Sequence, residues 1–213
     1  MTSTPARPRT RKSPEARRGE ILRAASAIAL SEGLERITLR AVAERLDVRP
    51  GLVTHYFPAA EGLVVEAFVD AASAQRERLF RDDGSPLERI ARFVAHADGT
   101  DALPLARLWL NARHLSRFIP GLATALEEQE KLDEARLRQV VEAAIAEGEV
   151  PACDAGDTAI RILMALDGKG AYANDRAPYT DEVYLHFVSD YAEWALGLPR
   201  GRLGDAGRRR DSD

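Results

Sequence analysis

The sequence predicts an all-α protein, and three observations predict it. Ala, Leu, Arg and Glu are plentiful while aromatic residues make up only 6% of the chain, which favours helix over strand propensity. Apolar residues recur at helical spacing in segment after segment. Gly99, Pro104, Pro120, Gly148 and Pro151 fall between the later segments, where helices stop and start. With 213 residues and 45% apolar content, the chain can bury an ordinary core.

Residues 1–12 are rich in Pro, Arg and Thr without a period and are expected to form a flexible basic arm. Ser13-Pro14-Glu15 then supplies a cap, a first-position proline and a first-turn acid, which open a helix. Ile21, Leu22, Ala25, Ile28 and Ala29 carry it forward, and the glycine of Ser31-Glu32-Gly33 stops it near residue 32. Thr38 can cap a second, short helix with Leu39, Val42, Ala43 and Leu46 on one face. Asp47, Val48 and Arg49 form a turn, and Pro50 starts a third helix, because its φ is pre-set and the first turn would leave its missing N–H unpaired anyway. Phe57-Pro58 breaks the chain again.

Beyond Pro58 the helices lengthen. Leu63, Ala67, Phe68 and Ala71 begin one that reaches about Arg81, and Ser85-Pro86-Leu87-Glu88 repeats the opening seen at residue 13. Leu105, Leu108, Trp109 and Leu115 mark the next stripe, followed by Leu122, Leu126, Leu137, Val141, Ala144 and Ile145. Two regular helices come last: Ile160, Leu163, Met164 and Asp167 share a face in one, and Tyr184, Phe187, Val188, Tyr191, Ala195 and Leu198 in the other. The expected division is an arm (1–12), a three-helix unit (13–58), a helical body (59–199) and a disordered tail (200–213).

Charge is split along this division. Residues 1–57 carry 11 Arg and Lys against 6 Asp and Glu, whereas residues 58–200 carry 15 against 25. A basic front on an acidic body is the distribution expected when only the front meets a polyanion, and on charge alone a solvated arm followed by a charged helix face accounts for it equally well. The single Cys153 cannot form an intramolecular disulfide, the basic N-terminus has no apolar segment behind it, and no apolar run approaches a membrane span. A cytoplasmic protein is expected. Catalysis is not: no nucleophile with its base, phosphate-cradling loop or metal-ligand spacing is found, so neither cofactor nor metal is expected.

The packing pattern at residues 38–57 is that of a helix-turn-helix. Val42, Leu46, Val48, Val53 and Tyr56 are spaced to seal two helices together, Ala43 permits close approach, and Asp47 stands at a turn where glycine is commoner but Asp is tolerated. Together with what precedes and follows it, the stretch ITLRAVAERLDVRPGLVTHYF resembles the DNA-binding segment of TetR-type bacterial repressors over about residues 14–70. The resemblance implies that Thr38 caps the second helix against a phosphate and that Arg40 reaches toward base or backbone. It further implies that Arg49, Pro50, Gly51, Leu52 and Thr54 face the major groove while His55 and Tyr56 donate to phosphates. The sequence departs from the family's frequent Ser, Thr, Tyr and Lys at Arg49, Leu52, Thr54 and Ala60, so the operator sequence does not follow from the resemblance.

For the body, the resemblance implies a homodimer with a small-molecule effector site. The interface candidates are Ile160, Tyr184, Phe187, Val188, Tyr191 and Ala195; the stripe of Tyr184, Phe187, Val188, Tyr191 and Leu198 is wider and more aromatic than a solvated helix needs, so either the chain's own core or a partner covers it. Polar and aromatic groups on otherwise apolar helices give the effector candidates Phe93, His96, Trp109, Asn111, His114, Phe118 and Asp167. The expected function is a ligand-responsive regulator, by default a repressor released from a palindromic DNA operator by a small molecule. The alternative is a helical ligand- or partner-binding protein with a vestigial DNA-binding half.

Overall fold

The computed structural model describes residues 13–175 and 180–208, so the expected basic arm lies outside the described residues. Eleven α-helices and two short 3₁₀ turns account for the described secondary structure, with no strand among the described residues. The first helix, α1 (Pro14–Ser31), is capped as the sequence predicts, Ser13 Oγ accepting from Ala16 N at 3.2 Å. It stops where Gly33 takes a φ of 111° that a side chain would resist. Two short helices follow, α2 (Leu39–Arg45) and α3 (Pro50–Tyr56), then the long α4 (Ala60–Leu79).

The body continues with α5 (Pro86–Asp98), α6 (Leu103–Leu115), α7 (Pro120–Ala146) and α8 (Ala155–Gly170). Ser85 and Glu88 form a complete capping box at the head of α5, satisfying two otherwise orphan donors. Asp154 caps α8 through Asp157 N at 2.8 Å.

Two buried clusters organise the chain. One joins α1, α2 and α3 to the first half of α4, to Leu108 and Ala112 of α6, and to Leu122, Ala125 and Leu126 of α7. The other joins the end of α4 to α5, the second half of α7, α8 and the C-terminal helices. The Phe57-Pro58 break therefore divides the chain but not the first core, and α4 and α7 run through both clusters.

The C-terminal region differs from expectation twice. The single helix expected from Tyr184 to Leu198 is two, α9 (Glu182–Leu185) and α10 (Phe187–Ala195), with His186 between them at φ −112° and ψ 13°. A distant acid explains the restart: the Asp98 carboxylate, at the end of α5, accepts from Val188 N at 3.1 Å and Ser189 N at 2.9 Å and so caps α10. The expected disordered tail is helical over α11 (Arg202–Arg208), which packs on α5 with Leu203 buried. Its N-terminus is held by the buried Glu193 carboxylate, which accepts from Gly201 N and Leu203 N, both at 2.7 Å.

Candidate nucleic-acid interface and effector cavity

The helix-turn-helix is built on the seam that the sequence predicts. Val42, Ala43 and Val53 are fully buried, with Leu46, Val48 and Tyr56 packed against them. Asp47 has a φ of 52°, the one positive value on a described non-glycine residue, and its N–H reaches Glu44 O at 3.2 Å while Val48 N reaches Ala43 O at 3.0 Å. The left-handed step turns the chain through the corner and releases Pro50 to begin α3.

Burying Val53 forces the opposite side of α3 outward. Arg49, Pro50, Gly51, Thr54 and His55 are exposed, and Leu52 and Tyr56 are half-buried. A Cβ at Gly51 would meet nothing within 4 Å, so the first turn of α3 faces open space. Thr54 Oγ1 donates to Pro50 O at 3.2 Å, which spends its donor on its own helix, and the His55 and Tyr56 rings meet edge to face. Thr38 Oγ1 accepts from Ala41 N at 3.0 Å, the cap that the sequence predicts, and Arg40 stands exposed on α2 in an i,i+4 pair with Glu44 at 2.8 Å.

Missing from the sequence reading is the clamp behind this unit. Arg18 of α1 holds Glu66 of α4 at 2.6 Å, and its guanidinium lies 4.8 Å from the centre of the Phe57 ring. Ser26 of α1 donates to Asp70 of α4 at 2.7 Å. These contacts join α1, the end of α3 and the start of α4.

Within the body lies a cavity of about 840 Å³ between α4, α5, α6, α7 and α8. Phe93, His96, Trp109 and Asp167 line it, as the sequence suggests. Asn111, His114 and Phe118 do not: on α6 the stripe toward the cavity is Ala106, Trp109, Leu110 and Arg113, and Asn111 lies two residues, or about 200°, around the helix from Trp109. His114 and Phe118 meet edge to face at the far end, with Phe118 66% exposed.

The wall also carries a charge network that the sequence reading overlooked. Arg113 bridges Asp167 at 2.6 Å and Glu130 at 3.0 Å, and Arg76 of α4 binds Asp133 and Gln129 of α7. Burial pushes the Asp133 and Asp167 carboxyls up, against the downward pull of Arg76 and Arg113 respectively. Lys169 binds Asp98 at 2.6 Å, the same carboxylate that caps α10. His96 Nε2 lies 2.9 Å from Gln75 Nε2, and burial lowers its pKa, with Arg78 adding to the shift. The i,i+4 pair Trp109 and Arg113 and the acids at 130, 133 and 134 were the available signals, since each repeats at one-turn spacing.

The interface candidates separate in the same way. Ile160 and Phe187 are exposed, whereas Val188 is fully buried in the chain's own core, because α10 packs its Val188, Ala192 and Leu196 stripe inward. Tyr184 lines the cavity, Ala195 packs against the chain's own core, and Tyr191 is half-buried between Phe187 and Trp194 in a ring ladder. Met164 and Trp194, 67% and 65% exposed, extend this apolar face across α8 and α10, with Arg161 over the Trp194 ring. A Cβ at Gly168 would meet nothing within 4 Å, which leaves the end of α8 open to close approach.

Comparison with known proteins gives the same outline. Residues 21–67 match the family model described as bacterial regulatory proteins, tetR family. The HTH-type transcriptional repressor KstR of Mycolicibacterium smegmatis is 39% identical over 77 residues, which span 35% of this chain and 38% of that repressor. The HTH-type transcriptional regulator BetI of Paraburkholderia phymatum is 27% identical over 192 residues, 85% of this chain and 94% of that protein. A transcriptional regulator from Saccharomonospora viridis, solved in complex with choline, has the same fold, with a TM-score of 0.68 at 20% identity over 85% of this chain and 97% of that one. No helix among the described residues is long and apolar enough to cross a membrane.

Proposed function

We propose that this chain, which belongs to the TetR family of bacterial regulatory proteins, grips a pseudo-palindromic operator as a homodimer and is released from it when a small molecule fills the body's cavity. It is a DNA-binding transcriptional regulator and not an enzyme. The observation that carries the operator reading is α3 itself: Val53 is sealed inward, so the turn opened by Pro50 stands free to enter a major groove. Arg40, Arg49, Gly51 and Leu52 supply the groove contacts, and Thr38, His55 and Tyr56 flank them toward phosphate. Thr54, tied to its own helix, contributes its methyl surface.

Residues 13–58 serve as the reading unit and 59–199 as the sensing and pairing unit. The face of Ile160, Met164, Phe187 and Trp194 pairs two subunits in an isologous four-helix contact, which sets two copies of α3 about 34–36 Å apart, or a multiple of that distance. Phe93, His96, Trp109 and Asp167 take part in holding the effector. Because α4 leads from α3 directly into the cavity wall, a ligand that prefers a different setting of α4 weakens DNA binding by its differential affinity for the two states. The protein acts in the cytoplasm.

Selection from a pool of random duplexes tests this reading. An inverted repeat bound by two chains per duplex is expected, with affinity that falls linearly in log salt. A pool that enriches no sequence overturns it and leaves a helical ligand-binding protein with a vestigial DNA-binding half.

A further inference from the structure

Charge around the cavity is unevenly answered. At its Lys169 end the Lys169 ammonium meets Asp98, and Arg107, which donates to Ala173 O, and Asp175 add one charge of each sign. At the other end four carboxylates from α7 and α8, Glu130, Asp133, Glu134 and Asp167, face two guanidiniums. Arg76 is committed to Asp133, and the single Arg113 is divided between Glu130 and Asp167. Glu134 lines the cavity half-buried with no ion pair or side-chain hydrogen bond among the described residues. This end therefore carries two negative charges in excess.

A neutral molecule filling the space would strip water from those charges and give nothing back, and an anion would add a third. A monovalent cation would offset one of them and bring its charge to side chains that lack a partner of their own. Resting on the effector reading above, we propose that the cavity takes a hydrophobic organic cation, its charged nitrogen held among Glu130, Asp133, Glu134 and Asp167 and its apolar body against Leu79, Phe93 and Trp109. The upward shifts of Asp133 and Asp167 agree, since burial and neighbouring acids already disfavour their charge. The incoming charge competes with Arg76 for Asp133, and Arg76, with Ser73, ties α4 to α7, reaching Asp133 and Gln129. Ligand binding thereby loosens the helix that leads to the DNA-binding unit.

Decyltrimethylammonium, decanoate and decan-1-ol share one chain and differ in charge. Each is titrated by calorimetry and thermal shift into the full chain, into Glu134→Gln and into Glu134→Gln with Asp167→Asn, and operator binding by the wild type is followed in the same solutions. Decyltrimethylammonium is expected to bind the wild type about tenfold or more tighter than decan-1-ol, decanoate most weakly, and the substitutions are expected to erase most of that preference. Glu134→Gln breaks no ion pair, so it carries the test if the double variant fails to fold. If the alcohol or the carboxylate binds as tightly as the cation, or both variants keep the preference, the cation inference is overturned while a ligand-released regulator stands. If none of the three binds, the cavity is not the effector site and the inference falls with it, and operator binding in the same samples shows whether the DNA-binding reading falls too.

Discussion

The head of α3 and the cavity wall both carry polar groups, yet they stand in opposite states. On α3, Arg49, Pro50, Gly51 and His55 turn to solvent, and Arg49 has no ion pair among the described residues. In the cavity, Arg76, Arg113 and Lys169 are already held by carboxylates. Groups whose partner is water exchange it for phosphate and base edges at little internal cost, whereas paired groups yield only to a ligand that replaces what they give up. On the proposed function, one surface would read a polyanion by adding interactions and the other would sense a small molecule by exchanging them.

The largest effect is expected where the two regions are coupled across subunits. Trp194→Glu puts a charge in the centre of the α8–α10 face and should weaken dimerisation by roughly 2–4 kcal/mol, seen as a monomer in sedimentation, with operator affinity lost alongside. A variant that stays dimeric would remove this face from the interface. Arg40→Ala with Arg49→Ala should reduce operator affinity by about 1–3 kcal/mol for each guanidinium removed from the DNA, yet alter thermal stability by less than about 0.5 kcal/mol, since the Arg40–Glu44 pair is exposed. A comparable loss of folding stability would mean that these groups are satisfied inside the chain after all.

On the cavity side, burial and Arg78 hold His96 below the ordinary histidine value of 6.5, so the unfolded chain binds the extra proton more readily than the folded one. Its contribution to stability is present above pH 6.5 and is lost as the pH falls below it. Denaturant melts at pH 7.5 and pH 5.0 should therefore show His96→Gln losing less stability on acidification than the wild type, and equal losses would contradict the half-buried neutral ring. The smallest effect concerns the corner. Asp47→Gly should raise stability by up to about 1 kcal/mol by relieving the positive φ, with operator affinity expected to stay unchanged because the residue's role is to shape the turn.

How much was legible follows from how local the causes are. The start at Pro50, the cap at Thr38 and the left-handed Asp47 are each decided within four residues, and the structure has all three. The break at His186 was not legible, because the carboxylate that caps α10 comes from Asp98, 90 residues away in sequence. Likewise α11 is a helix because α5 offers it a surface and Glu193 holds its first turn, and its own sequence, short and charged, gives no such sign. Asn111 and His114 failed as cavity residues for a different reason, and Phe118 lies beyond the end of α6 at Leu115. Polarity within an apolar helix marks a candidate, but only the angle around α6 decides which side it faces, and the buried Leu108 and Ala112 set that angle.

The central claim is that the first turn of α3 lies against DNA, and Gly51→Trp tests it most directly. Inside the chain a Cβ at this exposed position meets nothing within 4 Å, so the helical circular dichroism and melting temperature are expected to stay near those of the wild type. On the selected operator, an indole at that position should block the groove and lower affinity by about a hundredfold or more. Wild-type affinity in a folded Gly51→Trp dimer would contradict the account.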